Sequence, residues 1–237
     1  KKFCSKMNSL EIFLNIALSK NKFTILVVEK KKIIFFKEQE LLNHGKKIIH
    51  ENFDEILRKL ILEIEAKFKI SLNKINLMIE QEILESVDAT IKKNFENKKI
   101  DKKSVEYLIQ DLRFQVIKSN PEKQFIHILI RKCFVDNDEY NTVPIGENCK
   151  VFSVEISFIY IPKKFLESLE FFLKKNQLDI KRIISTNYAK SLLNKDTENL
   201  GSAAVAATED INLKEVNIFK KNRVKYGFFE RIFRIFV

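Results

Sequence analysis

Glycine and proline are the scarcest features of this 237-residue chain: it holds four Gly and three Pro, against roughly 17 and 12 at average usage. A loop that cradles phosphate needs glycines where backbone approaches oxygen, and nowhere here do two lie close together. Composition therefore argues against nucleotide binding through a Gly-rich loop. The chain is 45% hydrophobic, ample for a buried core, which rules out wholesale disorder. The absence of Trp, the 21 Phe and the Lys/Ile/Asn excess fit a biased genome composition.

The net charge of +11 has to be read by position. From Ile218 to Val237 six basic residues (Lys220, Lys221, Arg223, Lys225, Arg231, Arg234) stand against one acid, Glu230, so nearly half the excess lies in the last twenty residues or so. No apolar run approaches the ~20 residues that cross a bilayer. Cys4, Cys133 and Cys149 have neither disulfide-framework nor zinc-site spacing, which points to a reducing compartment. Lys1 in place of Met leaves the native start open, and no signal-peptide pattern is visible.

Hydrophobic periodicity sets out the elements. Ser9–Leu18, Phe23–Val28 and Ile33–Phe36 read as a meander of short strands, with Lys30-Lys31-Lys32 at a turn. Phe53, Ile56, Leu57, Leu60, Ile61, Ile64 and Phe68 make one face of a helix with Asn52 as its N-cap. A strand follows at Ile75–Ile79. The stretch Glu82–Asn97 is less regular, with one strand around Val87–Ile91. Asp101 caps a helix carrying Val105, Leu108, Ile109, Leu112 and Val116, which Asn120-Pro121 stops.

Phe125–Ile130 is a strand, and Val135-Asp136-Asn137-Asp138 a turn. Val154, Ile156, Phe158 and Tyr160 alternate with Ser153, Glu155 and Ser157, the mark of a half-buried strand. Pro162 opens a third helix with Phe165, Leu166, Leu169, Phe172 and Leu173 as its stripe. Ile180–Ile184 is a strand, Asn187–Asn194 a short helix, and Leu200–Thr208 a small-residue helix packed closely on its neighbour. The order implies α/β or mixed α+β with a mixed sheet.

The last ten residues, FFERIFRIFV, segregate completely on a helical wheel. Glu230, Arg231 and Arg234 fall within a sector of about 100°, while Phe228, Phe229, Ile232, Phe233, Ile235 and Phe236 lie outside it. The helix they predict is about 15 Å long, suited to lying in a membrane interface rather than crossing it. Lys220, Lys221, Arg223 and Lys225, with Gly227 as a hinge, precede it and match an anionic lipid surface. The alternative for this segment is a last helix docked on the protein's own core.

Several segments, in order, resemble the bacterial cell-division protein FtsA. Residues 125–136 (FIHILIRKCFVD) resemble that family's "LHVIPQEYVIDG", and Val143-Pro144-Ile145-Gly146 falls where it has "NPVGMSG". Phe152–Ile161, Lys163–Asn176, Leu178–Ile184 and Asn187–Leu193 follow in the family's order, and Leu200–Thr208 resembles its last helix. FtsA proteins also end in a short amphipathic membrane-targeting helix. The resemblance implies an actin-like core over 9–80 plus 163–219 and a strand-helix-strand-strand insertion over 81–162. It further implies a basic linker at 220–227 and a membrane-targeting helix at 228–237.

Where the family's first phosphate loop reads Asp-x-Gly, this chain has Asn15-Ile16-Ala17, and its second phosphate loop has no counterpart, as though most of the second actin-like half were deleted. The expectation is an adaptor with no enzymatic activity, cofactor or metal, peripheral on the cytoplasmic face of the inner membrane. Its partners would be division proteins, FtsZ among them although the subdomain that usually grips FtsZ is missing, and the insertion would carry protein contacts, either self-association or contacts to other division proteins. Two rivals are a residual actin-like ATPase, which lacks the carboxylate and glycines, and a nucleic-acid-binding module using Lys92, Lys93, Lys98, Lys99, Lys102 and Lys103 around Phe95, whereas single-stranded readers usually present several aromatic platforms. His127 reads as a satisfied structural histidine, His44 and His50 as loop residues, Asp136, Asp138 and Glu139 as a solvated turn, and Cys133 as an inert thiol.

Overall fold

A computed structural model describes residues 10–17, 21–40, 51–80, 82–193, 199–208 and 215–216. The order is β1 (Leu10–Ala17), β2 (Lys22–Glu29), β3 (Lys32–Glu40), α1 (Glu51–Phe68), β4 (Lys74–Ile79), β5 (Glu85–Lys99), α2 (Lys102–Ser119), β6 (Lys123–Val135), β7 (Asp138–Tyr140), β8 (Asn148–Pro162), α3 (Lys163–Lys175), β9 (Asp179–Ser185), α4 (Thr186–Ser191) and α5 (Leu200–Ala207). The fold is mixed α/β, as the sequence implied.

The strands form two sheets. The first has the order β3-β2-β1-β4-β9: β1, β2 and β3 run antiparallel, while β4 lies parallel to β1 and β9 parallel to β4. Both of its faces are covered, so its inner strands are continuous apolar runs. Ile12, Leu14, Ile16, Ile25 and Leu77 meet α1 and α3 on one face. Phe13, Leu26, Val28 and Met78 meet α4 and α5 on the other. Gly201, Ala203, Ala204 and Ala207 bring α5 close against the sheet, and a Cβ added at Gly201 would run into the Ile33 side chain.

The second sheet has the order β5-β8-β6-β7, all antiparallel. One face packs on α2 through Val105, Leu108, Ile109, Leu112 and Val116, the five residues of the expected stripe. Asp101 caps α2, its carboxylate accepting from Ser104 N–H at 2.9 Å.

Five local expectations are corrected. The irregular stretch is one 15-residue strand, β5, at a sheet edge with its polar face in solvent; the consecutive polar residues Lys92, Lys93 and Asn94 blurred its period of two. Helix α1 already begins at Glu51, so Asn52 lies inside it. Pro162 is the N-cap of α3 and the end of β8, one residue before the first helical position. Helix α4 starts at Thr186, because Ser185 caps it by accepting from Tyr188 N–H, and it ends at Ser191 with Leu192 as its C-cap. Ser157, placed on the polar face of its strand, is 1% exposed; it pairs with Leu129, which packs against α4 and α5, so this part of the sheet's second face is covered as well.

The shortage of glycine shows in the backbone. Eight described non-glycine residues have positive φ, and Lys30 (47°) and Lys31 (66°) supply both central positions of the β2–β3 turn. A two-residue hairpin turn of that hand prefers Asn-Gly.

Candidate functional site

Phe228, Phe229, Arg231, Ile232, Phe233, Arg234, Ile235, Phe236, Lys220, Lys221, Arg223 and Lys225, the expected membrane-binding residues, lie outside the described residues, as do Cys4, His44 and His50. The structure does describe the root of that segment, Glu215-Val216. β7 covers β6 only at Cys133–Val135, which leaves the edge further back open. Glu215 forms an antiparallel bridge with Leu129 there, and Val216 N–H donates to Ile128 O at 2.8 Å.

Successive side chains of an extended segment point to opposite sides, and these two do. Val216 packs toward the α2 core, while Glu215 enters a polar cluster where the two sheets meet. His127, 2% exposed, places Nδ1 2.7 Å from Glu215 Oε1. Its Nε2 accepts from Ser185 N–H at 3.0 Å. Because Nε2 accepts, the neutral ring carries its proton on Nδ1, and that N–H donates to the carboxylate. Tyr188 stacks on the imidazole with centroids 4.1 Å apart and donates its hydroxyl to Glu215 Oε2.

Burial disfavours the charge on Glu215. Hydrogen bonds from His127 and Tyr188, with Arg182 nearby, outweigh it and hold the carboxyl below its ordinary range. Both ring nitrogens of His127 and both Glu215 oxygens are engaged in these hydrogen bonds, so the cluster holds chain in place. Sequence reasoning placed His127 correctly but found neither Glu215 nor Tyr188, since nothing local links a carboxylate to a histidine 88 residues away.

Beside Val216 an open groove of about 840 Å³ runs between α2 and the loop at 143–145, with Ile109, Ile130, Val143, Ile145 and Val216 as its apolar lining. Tyr107, Phe114 and Ile117 continue an exposed apolar stripe along α2.

Asn15, which the sequence resemblance set against a phosphate-loop aspartate, is buried and its Oδ1 accepts from Thr186 Oγ1 at 2.8 Å. Asp136 accepts from Lys150 and Val151 N–H and so closes the β8 end of its turn, while Glu139 pairs with Lys132 at 3.0 Å. Burial pushes the Cys133 thiol up to about 11, which leaves it protonated and unreactive. Phe95 is buried edge-on against Phe152, so the lysine-rich stretch around it offers no base-stacking platform there. Among the described residues no three His, Cys, Asp or Glu side chains gather to hold a metal.

No family model matches the chain, and no curated protein matches it. Among solved structures it is similar to the cytoplasmic domain of EpsL, an inner membrane component of the type II secretion system of Vibrio cholerae, at 12% identity and a TM-score of 0.41, over 76% of this chain and 59% of that one. It is similar to the PilM–PilN type IV pilus biogenesis complex at 11% and 0.43, over 77% and 48%. A Bacteroides thetaiotaomicron protein with an actin-like ATPase fold and unknown function matches at 11% and 0.30, over 78% and 55%. The chain thus spans about half to three fifths of the structures it matches, and likeness at these values assigns it no function.

Proposed function

We propose that the chain is an FtsA-like adaptor: an actin-like core without a working nucleotide site, held peripherally on the cytoplasmic face of the inner membrane by residues 228–237. One observation carries the reading, the complete separation of apolar from charged positions in FFERIFRIFV behind a basic segment. Phe228, Phe229, Ile232, Phe233, Ile235 and Phe236 insert, while Arg231, Arg234, Lys220, Lys221, Arg223 and Lys225 meet lipid phosphates. Each cation near an anionic leaflet contributes roughly 1 kcal/mol. The insertion unit, with the exposed Tyr107, Phe114 and Ile117 on α2, carries contacts to division proteins.

Asn15 supports the loss of nucleotide chemistry. A neutral amide cannot position a cation as a carboxylate does, and its oxygen is already occupied by Thr186. The test is co-sedimentation with anionic liposomes, comparing residues 1–237 with a chain ending at Phe219. The full chain pellets, salt weakens it in part, and the shortened chain stays in solution. If both stay in solution, the anchor is refuted.

A further inference from the structure

We infer that residues 228–237 have a second seat in the protein itself: away from lipid they lie in the groove between α2 and the 143–145 loop, so that one apolar face is held either by the protein or by the bilayer. The inference rests on the membrane reading for its second state, and on the structure for its first.

Where the segment leaves the core is fixed. Val216 lines the groove, its N–H is bonded to Ile128 O, and Glu215 beside it is locked by His127 and Tyr188. Eleven residues, 217–227, connect this root to the apolar segment and reach up to roughly 36 Å when extended. The 18 residues of α2 are about 27 Å long, so the whole groove is within range.

The fit is chemical as well. The groove offers Ile109, Ile130, Val143, Ile145 and Val216 to an apolar face, and Ile145 and Tyr107 at its rim are 51% and 74% exposed. A tether this short gives an effective concentration in the millimolar range, beyond what a second copy or a separate partner would present. Because groove and lipid compete for the same side chains, docking reduces membrane affinity by the fraction of molecules left undocked.

The chain contains no Trp, so Phe233→Trp supplies a single reporter. Without vesicles its emission should be blue-shifted and protected from acrylamide, independent of protein concentration. Adding Tyr107→Asp and Ile145→Asp, both at exposed positions that leave the core packing alone, should expose it. With docking nine-tenths complete, the groove variant should bind vesicles of phosphatidylglycerol and phosphatidylcholine about tenfold more tightly.

A Trp equally accessible with and without the groove changes overturns the inference, as does protection that ignores those changes or vanishes on dilution. The two readings fail separately. Vesicle binding with an exposed Trp in buffer removes the groove and keeps the anchor. Groove-dependent protection with no vesicle binding keeps the groove and removes the anchor.

Discussion

Glu215 and His127 meet at 2.7 Å although 88 residues separate them, and through this contact three pieces of chain share one point. His127 belongs to β6 of the second sheet, its Nε2 holds Ser185 at the end of β9 in the first, and Glu215 belongs to the segment that leads to the C-terminus. The junction of the sheets and the root of the C-terminal segment are therefore one hydrogen-bonded unit.

Removing either partner leaves a buried group unpaired. His127→Leu strands the Ser185 N–H and leaves the Glu215 carboxylate to Tyr188 and Arg182 alone, and should cost about 3 kcal/mol. Glu215→Leu strands the His127 Nδ1–H and removes an acceptor from the Tyr188 hydroxyl, and should cost about 2 kcal/mol. The double variant should cost less than the two together, with a coupling of about 1.5 kcal/mol in urea denaturation at unchanged slope. Strict additivity would mean the contact does not hold the junction.

The pH dependence has a defined sign. Glu215 is held below its ordinary value of 4.5 in the folded protein, so the unfolded chain binds that proton more readily. Its contribution to stability is complete above pH 4.5 and is lost as pH falls through the lower, folded value. Melting temperature should therefore drop on acidification, and more shallowly for Glu215→Gln than for the natural chain. Parallel profiles would assign the acid sensitivity to other carboxylates.

Turn chemistry offers a stabilising change. Lys30 and Lys31 both take positive φ, a conformation that costs a side-chain-bearing residue about 1 kcal/mol. Replacing them with Asn-Gly, the pair this turn prefers, should raise stability by about 1 kcal/mol in thermal or urea unfolding. No gain would show that the lysine side chains offset the strain through contacts of their own.

What the sequence made legible follows the strength of its periodicity. The α2 stripe from Val105 to Val116 keeps regular helical spacing and maps residue for residue onto the core. The even positions of β8 from Val154 to Tyr160 are buried as their alternation requires. β5 was hard to see because an edge strand with one solvated face carries Lys92, Lys93 and Asn94 in succession, blurring a period of two. The Glu215–His127–Tyr188 cluster was invisible because it is tertiary: its residues are distant in sequence and ordinary in local context. The groove beside Val216 is equally a product of assembly, since Ile109, Ile130 and Ile145 come from three separate elements.

Phe95 separates the adaptor from a nucleic-acid-binding module. Its ring is buried against Phe152 with centroids 6.1 Å apart, so Phe95→Ala should open a cavity and cost about 3 kcal/mol. Any affinity of the folded variant for single-stranded RNA should equal that of the natural chain. A selective loss of RNA binding at full stability would restore the rival, because it would require the ring to leave the core and stack on a base.

Phe229 and Phe233 should carry much of the hydrophobic part of membrane binding. Burying one such side chain contributes about 1.5–3 kcal/mol, and an aspartate in its place adds a charge that lipid disfavours. Phe229→Asp with Phe233→Asp should thus reduce partition onto anionic vesicles at least a hundredfold, with melting of the α/β core nearly unchanged. Arg231→Gln with Arg234→Gln should act differently, reducing binding by about tenfold or more at low salt and flattening its salt dependence. The two pairs separate insertion from electrostatic attraction. If the aspartate pair bound as well as the natural chain, residues 228–237 would not be the anchor, and a lysine-rich surface elsewhere would have to hold the lipid.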